Sequence, residues 1–109
     1  MSSTHPQTIR HIVMWNVQGD TPAERQRNIE RLRASFASLK GCIPGLRHLE
    51  IGVDVSRTSY ACDVVLYSEF DSPAALAAYA DHPEHLRVRA ELGAMRTARY
   101  QVDYPVTAA

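Results

Sequence analysis

A chain of 109 residues, 45% apolar and 22% charged, is long enough for one small domain with a core and too apolar for a disordered tail. Its twelve basic and twelve acidic residues cancel to a formal net charge of zero, without the basic excess of a dedicated nucleic-acid surface. No apolar run reaches the roughly 18 residues of a membrane span, the opening MSSTHPQT lacks the apolar stretch of a signal peptide, and Cys42 and Cys62 lack metal-type spacing, so the expectation is a cytoplasmic protein without disulfides or metal.

In chain order, Thr8 to Val17 reads as a strand, with Ile9, His11, Val13, Trp15 and Val17 on one face and Ile12 and Met14 on the other. TPAERQRNIERLRASFASLKG follows as a helix. Thr21 is its N-cap, Pro22 suits the first helical position and Glu24 completes a capping box. Ile29, Leu32, Phe36 and Leu39 make one apolar stripe, and Gly41 is the expected C-cap. Arg25, Arg27, Arg31 and Arg33 cluster on this helix, partly offset by Glu24 and Glu30, which is the pattern of a solvated face.

The turn Ile43-Pro44-Gly45 leads into a half-polar strand, Leu46 to Val55, with Leu49, Ile51, Val53 and Val55 on one face. After the polar loop SRTS, Tyr60 to Phe70 reads as a strand apolar on both faces, with Cys62 as a buried small hydrophobe; it should be central. Ser72 and Pro73 open a second helix. That helix breaks at Asp81-His82-Pro83-Glu84, because proline cannot donate a backbone hydrogen bond and disfavours the helical conformation at the residue before it. Asp81 and Glu84 have capping-box spacing, so a new helix is expected with Asp81 as its N-cap. The last strand is Thr97 to Pro105, with Ala98, Tyr100, Val102 and Tyr104 on one face.

The order β-α-β-β-α-β is that of a ferredoxin-like α+β fold. Residues 8–105 form a single domain, with tails at 1–7 and 106–109. The helices cover one sheet face and leave Ile12, Met14, Val65 and Tyr67 bare on the other. A bare apolar face calls for a partner, and the simplest partner is a second copy.

The break has a chemical consequence. In one continuous helix Tyr79 and His85 would sit about 120° apart, whereas a break permits them to converge. His85 shares a stripe with Val88, Leu92 and Met95 and therefore points inward. The positive end of the helix dipole disfavours imidazolium there and leaves a neutral base. Tyr79 brings a hydroxyl that needs a partner when buried, and His11 projects toward the same cavity if its strand face meets the helices. His82 reads as a turn residue. His82 and His85 lack the acidic or cysteine company of a metal site, and the chain has no phosphate-binding glycine loop or dinucleotide fingerprint, so no cofactor is expected. An inward histidine and tyrosine also serve as core residues with satisfied hydrogen bonds, so the residues alone leave both readings open.

Taken together, RHIVMW, IPGL before EIGVDV, YACDVVLYSEFDS, YADHPEHL and the closing VDY are similar to the Dabb family, the stress-responsive dimeric α/β barrel proteins, from about Ile9 to Tyr104. The resemblance implies two ferredoxin-like subunits that pair their sheets into a barrel, each with a pocket between helices and sheet. One plant branch of the family consists of polyketide cyclases, in which a histidine is the base and a tyrosine orients a poly-β-ketone for aldol-type closure. Through the Y-x-x-H-P-x-H pattern these roles fall on His85 and Tyr79. A further pocket histidine falls on His11, and Leu32, Phe36 and Leu66 fall near apolar wall positions; Val13 and Trp15 share the inner strand face with His11. The expectation is a homodimer without cofactor that takes a small apolar or β-keto ligand and binds neither nucleic acid nor membrane. It acts either as a non-catalytic binder or as a cyclase-like enzyme. A cofactor-free monooxygenase has only the pair Trp15-Asn16 behind it, and adjacent strand residues face opposite ways.

Overall fold

A computed structural model describes residues 7–106. The elements are β1 (Ile9–Val17), α1 (Pro22–Ala37), β2 (Leu46–Val53), β3 (Val64–Phe70), α2 (Pro73–Ala80), α3 (Pro83–Leu92) and β4 (Arg96–Pro105), with a 3-10 turn at Gly93–Met95 before β4. Apart from Gln7 and Val106, the expected tails lie outside the described residues. The strands form one antiparallel sheet in the order β2-β3-β1-β4, which is the ferredoxin-like α+β arrangement.

Local chemistry sets most boundaries. The Thr21 hydroxyl accepts the Glu24 N–H at 3.1 Å, and the Glu24 carboxylate reaches back to the N–H of Asp20 at 3.1 Å, one residue before the capping-box position. α1 ends at Ala37, earlier than its sequence suggests. Ser38 caps it, and Gly41, at φ +80, reverses the chain three residues later in a conformation that glycine alone adopts without strain. Leu39 stays fully buried beneath that turn.

β3 is shorter than the expected strand. Tyr60 is 89% exposed, Cys62 is only half-buried, and pairing starts at Val64. The cause is Asp63. Its N–H donates to the carbonyl of Trp15 at 3.0 Å, and its carboxylate accepts the N–H of Val17 at 2.8 Å and the Arg57 guanidinium at 3.0 Å. A side chain thus satisfies the end of β1 where a strand partner would otherwise continue. β2 likewise stops at Val53, and Val55 is 94% exposed rather than facing inward.

The β1–β4 ladder contains a bulge. Met14 pairs with Tyr100, but Asn16 pairs with Thr97, so Trp15 stands opposite both Ala98 and Arg99. Ala98 takes φ +50 to accommodate the extra residue. Ala98 therefore does not continue the alternation of Tyr100, Val102 and Tyr104. On the near side of the bulge Asp103 and Gln101 stand opposite His11 and Val13, on the helix-facing side; beyond it Arg96 stands opposite Val17 on that same side.

The core lies between that side of the sheet and the helices. Val13, Trp15, Leu32, Phe36, Leu66, Phe70, Val88 and Leu92 are buried in one continuous cluster. On the opposite sheet face Met14, Tyr100, Val102 and Tyr104 are exposed and Ile12, Val65 and Tyr67 are half-buried.

Candidate functional site

The chain breaks between α2 and α3 as the proline dictates, but the cap differs. Asp81 occupies the C-cap position of α2, and His82, with the extended backbone required before proline (φ −66, ψ 135), caps α3 instead. The His82 Nδ1 accepts the N–H of Glu84 at 3.1 Å. Asp81 is still committed to the end of one helix, so the next residue starts the other.

This joint sets the imidazole of His85. Its Nδ1–H donates to the carbonyl of Ala80 at 3.1 Å, one of the orphan carbonyls at the end of α2. A carbonyl can only accept, so the proton sits on Nδ1 and Nε2 carries the lone pair in the neutral ring. The Tyr79 ring lies against it, with centroids 4.2 Å apart and planes inclined by 35°. Tyr79 is 3% exposed, and its hydroxyl has no hydrogen-bond partner among the described residues. Phe70 packs against Tyr79 at 5.0 Å, and His11 meets it edge-on at 6.2 Å. The His11 Nδ1–H donates to Asp103 at 2.6 Å, and the other carboxylate oxygen accepts from Gln101 at 2.9 Å. That chain of contacts fixes the ring and tautomer of His11.

These groups surround a cavity of about 420 Å³ between helices and sheet. His11, Tyr79 and His85 line it together with Val13, Trp15, Phe36 and Leu66. Leu32 does not; it is fully buried in the core. The cavity also has lining residues that sequence reasoning missed, Arg89, Arg96 and Arg99. Arg89 lies four residues after His85 on α3, a spacing that could have found it. Arg96 was illegible because the bulge decides its face. Its guanidinium lies over the Trp15 ring, 4.8 Å from the centroid.

Electrostatics prepare the groups differently. Burial pushes the Tyr79 phenol up to about 12, against the pull of Arg96 and Arg99. It stays protonated at neutral pH and can donate. Burial pushes His85 down, opposed by its bond to Ala80 and helped by Arg89, Arg96 and His11. It stays neutral and can accept. Burial also pushes Arg96 below the ordinary guanidinium range, with Arg89 and Arg99 adding to the effect. A free imidazole lone pair, a phenolic donor and a cation therefore share one pocket of mixed polar and apolar lining. Among the described residues no group of three or more His, Cys, Asp or Glu side chains forms a metal site, and no helix is long and apolar enough to cross a membrane.

The fold recurs among solved structures. A dimeric ferredoxin-like protein of unknown function from Bacteroides fragilis is 28% identical, with 91% of this chain and 96% of that one covered and a TM-score of 0.75. A Dabb family protein with a ferredoxin-like fold from Mesorhizobium loti is 24% identical, with coverages of 94% and 99% and a TM-score of 0.70. A hydroxynitrile lyase from Passiflora edulis is 18% identical, with coverages of 95% and 97% and a TM-score of 0.79, and it shares the fold. No curated protein matches the sequence. The model of the stress responsive A/B barrel domain matches residues 9–106, nearly the whole chain, and the protein belongs to that family, Dabb.

Proposed function

We propose that the pocket binds a small carbonyl compound, that His85 removes a proton beside the carbonyl, and that the Tyr79 hydroxyl donates to the enolate oxygen as it forms. The observation that carries this reading is the buried Tyr79 hydroxyl without a partner, set against an imidazole whose free nitrogen is Nε2. Leaving a buried donor unsatisfied costs about 1–3 kcal/mol. A carbonyl oxygen in the cavity removes that cost and accepts more strongly as negative charge develops on it. The proton passes from carbon to His85 Nε2, and the electron pair of the broken C–H bond becomes the enolate. In a poly-β-keto chain that enolate attacks a second carbonyl of the same molecule, and the imidazolium returns its proton to the new alkoxide. This is an aldol-type ring closure without cofactor. Val13, Trp15, Phe36 and Leu66 wall off water, and His11, held by Asp103, orients the substrate from the sheet side.

The working unit in this proposal is a homodimer paired through the exposed face of Met14, Tyr100, Val102 and Tyr104, as the dimeric description of the Bacteroides fragilis neighbour supports. The cytoplasm is its proposed location, in keeping with the unpaired Cys42 and Cys62. The hydroxynitrile lyase among the fold's neighbours is a catalyst, which supports an enzymatic reading of the pocket.

The test is deuterium exchange beside the carbonyl in a panel of aryl ketones, β-keto thioesters and oxo acids, followed by NMR. Wild type accelerates exchange in at least one class, and His85→Ala loses the acceleration by about a hundredfold. Equal exchange by the two proteins removes His85 from the mechanism. Binding without exchange across the whole panel leaves a non-catalytic ligand binder.

A further inference from the structure

We propose that the pocket selects a carbonyl compound that also bears a carboxylate, with Arg96 as the anion-binding residue and Arg89 and Arg99 as flanking charges. The proposal rests on the carbonyl reading of the same cavity and names its substrate class. Three observations carry it.

Arg96 is half-buried and has no carboxylate partner among the described residues. Arg33 meets Glu30, Arg47 meets Asp71, Arg57 meets Asp54 and Asp63, and Arg87 meets Glu84 and Glu91; several surface arginines among the described residues lack such a partner too, but Arg96 combines the lack with burial and a position in the cavity wall. Arg96 instead lies over Trp15 at 4.8 Å and near Phe36 at 6.0 Å. A partly desolvated cation without a counter-charge is costly, and an anion of the right shape removes the cost.

Arg89 and Arg99 line the same cavity, and the lining contains no acidic residue. Like charges gathered at one concave site repel one another in the empty protein. They also focus a positive potential into the cavity, which raises the local concentration of anions.

Geometry then selects among anions. The Trp15 ring, 4.8 Å from the guanidinium carbon, steadies Arg96, and a guanidinium's fork of N–H groups matches a planar carboxylate bidentately. The remainder of the wall is apolar and aromatic, suited to an aryl or alkyl body. A carboxylate seated on Arg96 places the rest of the ligand between Trp15 and the Tyr79–His85 pair, and the same cation stabilises the enolate that forms there.

Trp15 is the chain's single tryptophan and sits under Arg96, so its fluorescence reports binding without any need for turnover. The probes are 4-phenyl-2-oxobutanoate and its methyl ester, which differ in the charge and one methyl group. Wild type is expected to bind the acid at least about tenfold more tightly than the ester. Arg96→Met binds both equally, Arg96→Lys keeps part of the preference, and added NaCl erodes it in wild type while ester binding stays constant. The salt series reads the same contact without a variant and so does not depend on Arg96→Met folding. His85→Ala keeps the preference for the acid, which separates this proposal from the one about proton transfer: loss of exchange with the preference intact leaves Arg96 in its role. Equal affinity for acid and ester, no binding of the acid, or a preference that survives in folded Arg96→Met overturns it.

Discussion

Tyr79 and His85 lie ring against ring, with centroids 4.2 Å apart, although they belong to two different helices. The proline joint between those helices turns a divergent pair into a contact. It also supplies the carbonyl of Ala80 that fixes which imidazole nitrogen is free. Sequence spacing, backbone chemistry and a candidate acid–base pair are thus consequences of one break.

Tyr79→Phe separates stability from activity. The variant removes a buried hydroxyl that has no partner, so unfolding stability rises by about 1 kcal/mol while proton exchange on a carbonyl substrate falls. Chemical denaturation paired with the NMR exchange assay reads both. A loss of stability would mean that the hydroxyl has a bound water or other partner and is not held in reserve for substrate.

The pH dependence follows from the groups that face His85: His11 from β1, Tyr79 from α2, Arg89 from α3 and Arg96 from β4. Burial, the largest influence, lowers its affinity for a proton from the ordinary 6.5. Below that value the unfolded chain takes up a proton that the folded protein refuses. The contribution of His85 to stability is therefore fully present above pH 6.5 and is lost as the pH falls through the folded-state value. For the same reason the acid limb of kcat/KM lies below pH 6.5. An NMR titration that places the His85 midpoint above 6.5 contradicts both statements.

His82 caps α3 through its Nδ1, which must be unprotonated to accept the N–H of Glu84. His82→Ala is expected to cost about 1 kcal/mol of stability. His82→Asp restores it, since a carboxylate is a strong N-cap and suits the positive end of the helix. Thermal unfolding of the three proteins checks the order, and an alanine variant as stable as wild type would show that the cap carries no weight.

The exposed sheet face is read by mass. Ile12 and Val102 pair directly across β1 and β4 near the middle of that face. Val102→Asp places a charge where two sheets would meet, so light scattering should give a dimer for wild type and a monomer for the variant. A monomeric wild type at micromolar concentration would rule out sheet pairing as the resting state.

Much of the fold was legible because its punctuation is local. Thr21-Pro22 and Ser72-Pro73 open their helices where capping chemistry puts them, and Pro83 breaks the chain where its missing N–H requires. Helix geometry permitted Tyr79 and His85 to converge, and strand alternation put His11 with them on condition that its face met the helices; the three line one cavity. What escaped notice depended on contacts between distant segments. Asp63 delays the start of β3 by bonding to Val17 and Arg57. Leu32 follows the helical stripe inward but reaches the core and not the cavity. The capping role passed from Asp81 to His82 because two helix ends compete for the same few residues.

The bulge opposite Trp15 makes the pairing of the last strand a determinant of where charge goes. Keep every residue but pair the strands without the bulge, and strict alternation would put Thr97 opposite Val17 and swing Arg96 to the face shared with Met14 and Tyr100. The guanidinium would leave the cavity side of the sheet for the exposed side proposed to meet a second subunit. The bulge thus decides between a charged pocket and a charged opposite face, and relatives with the same strand length and pocket side chains but no bulge should prefer uncharged ligands.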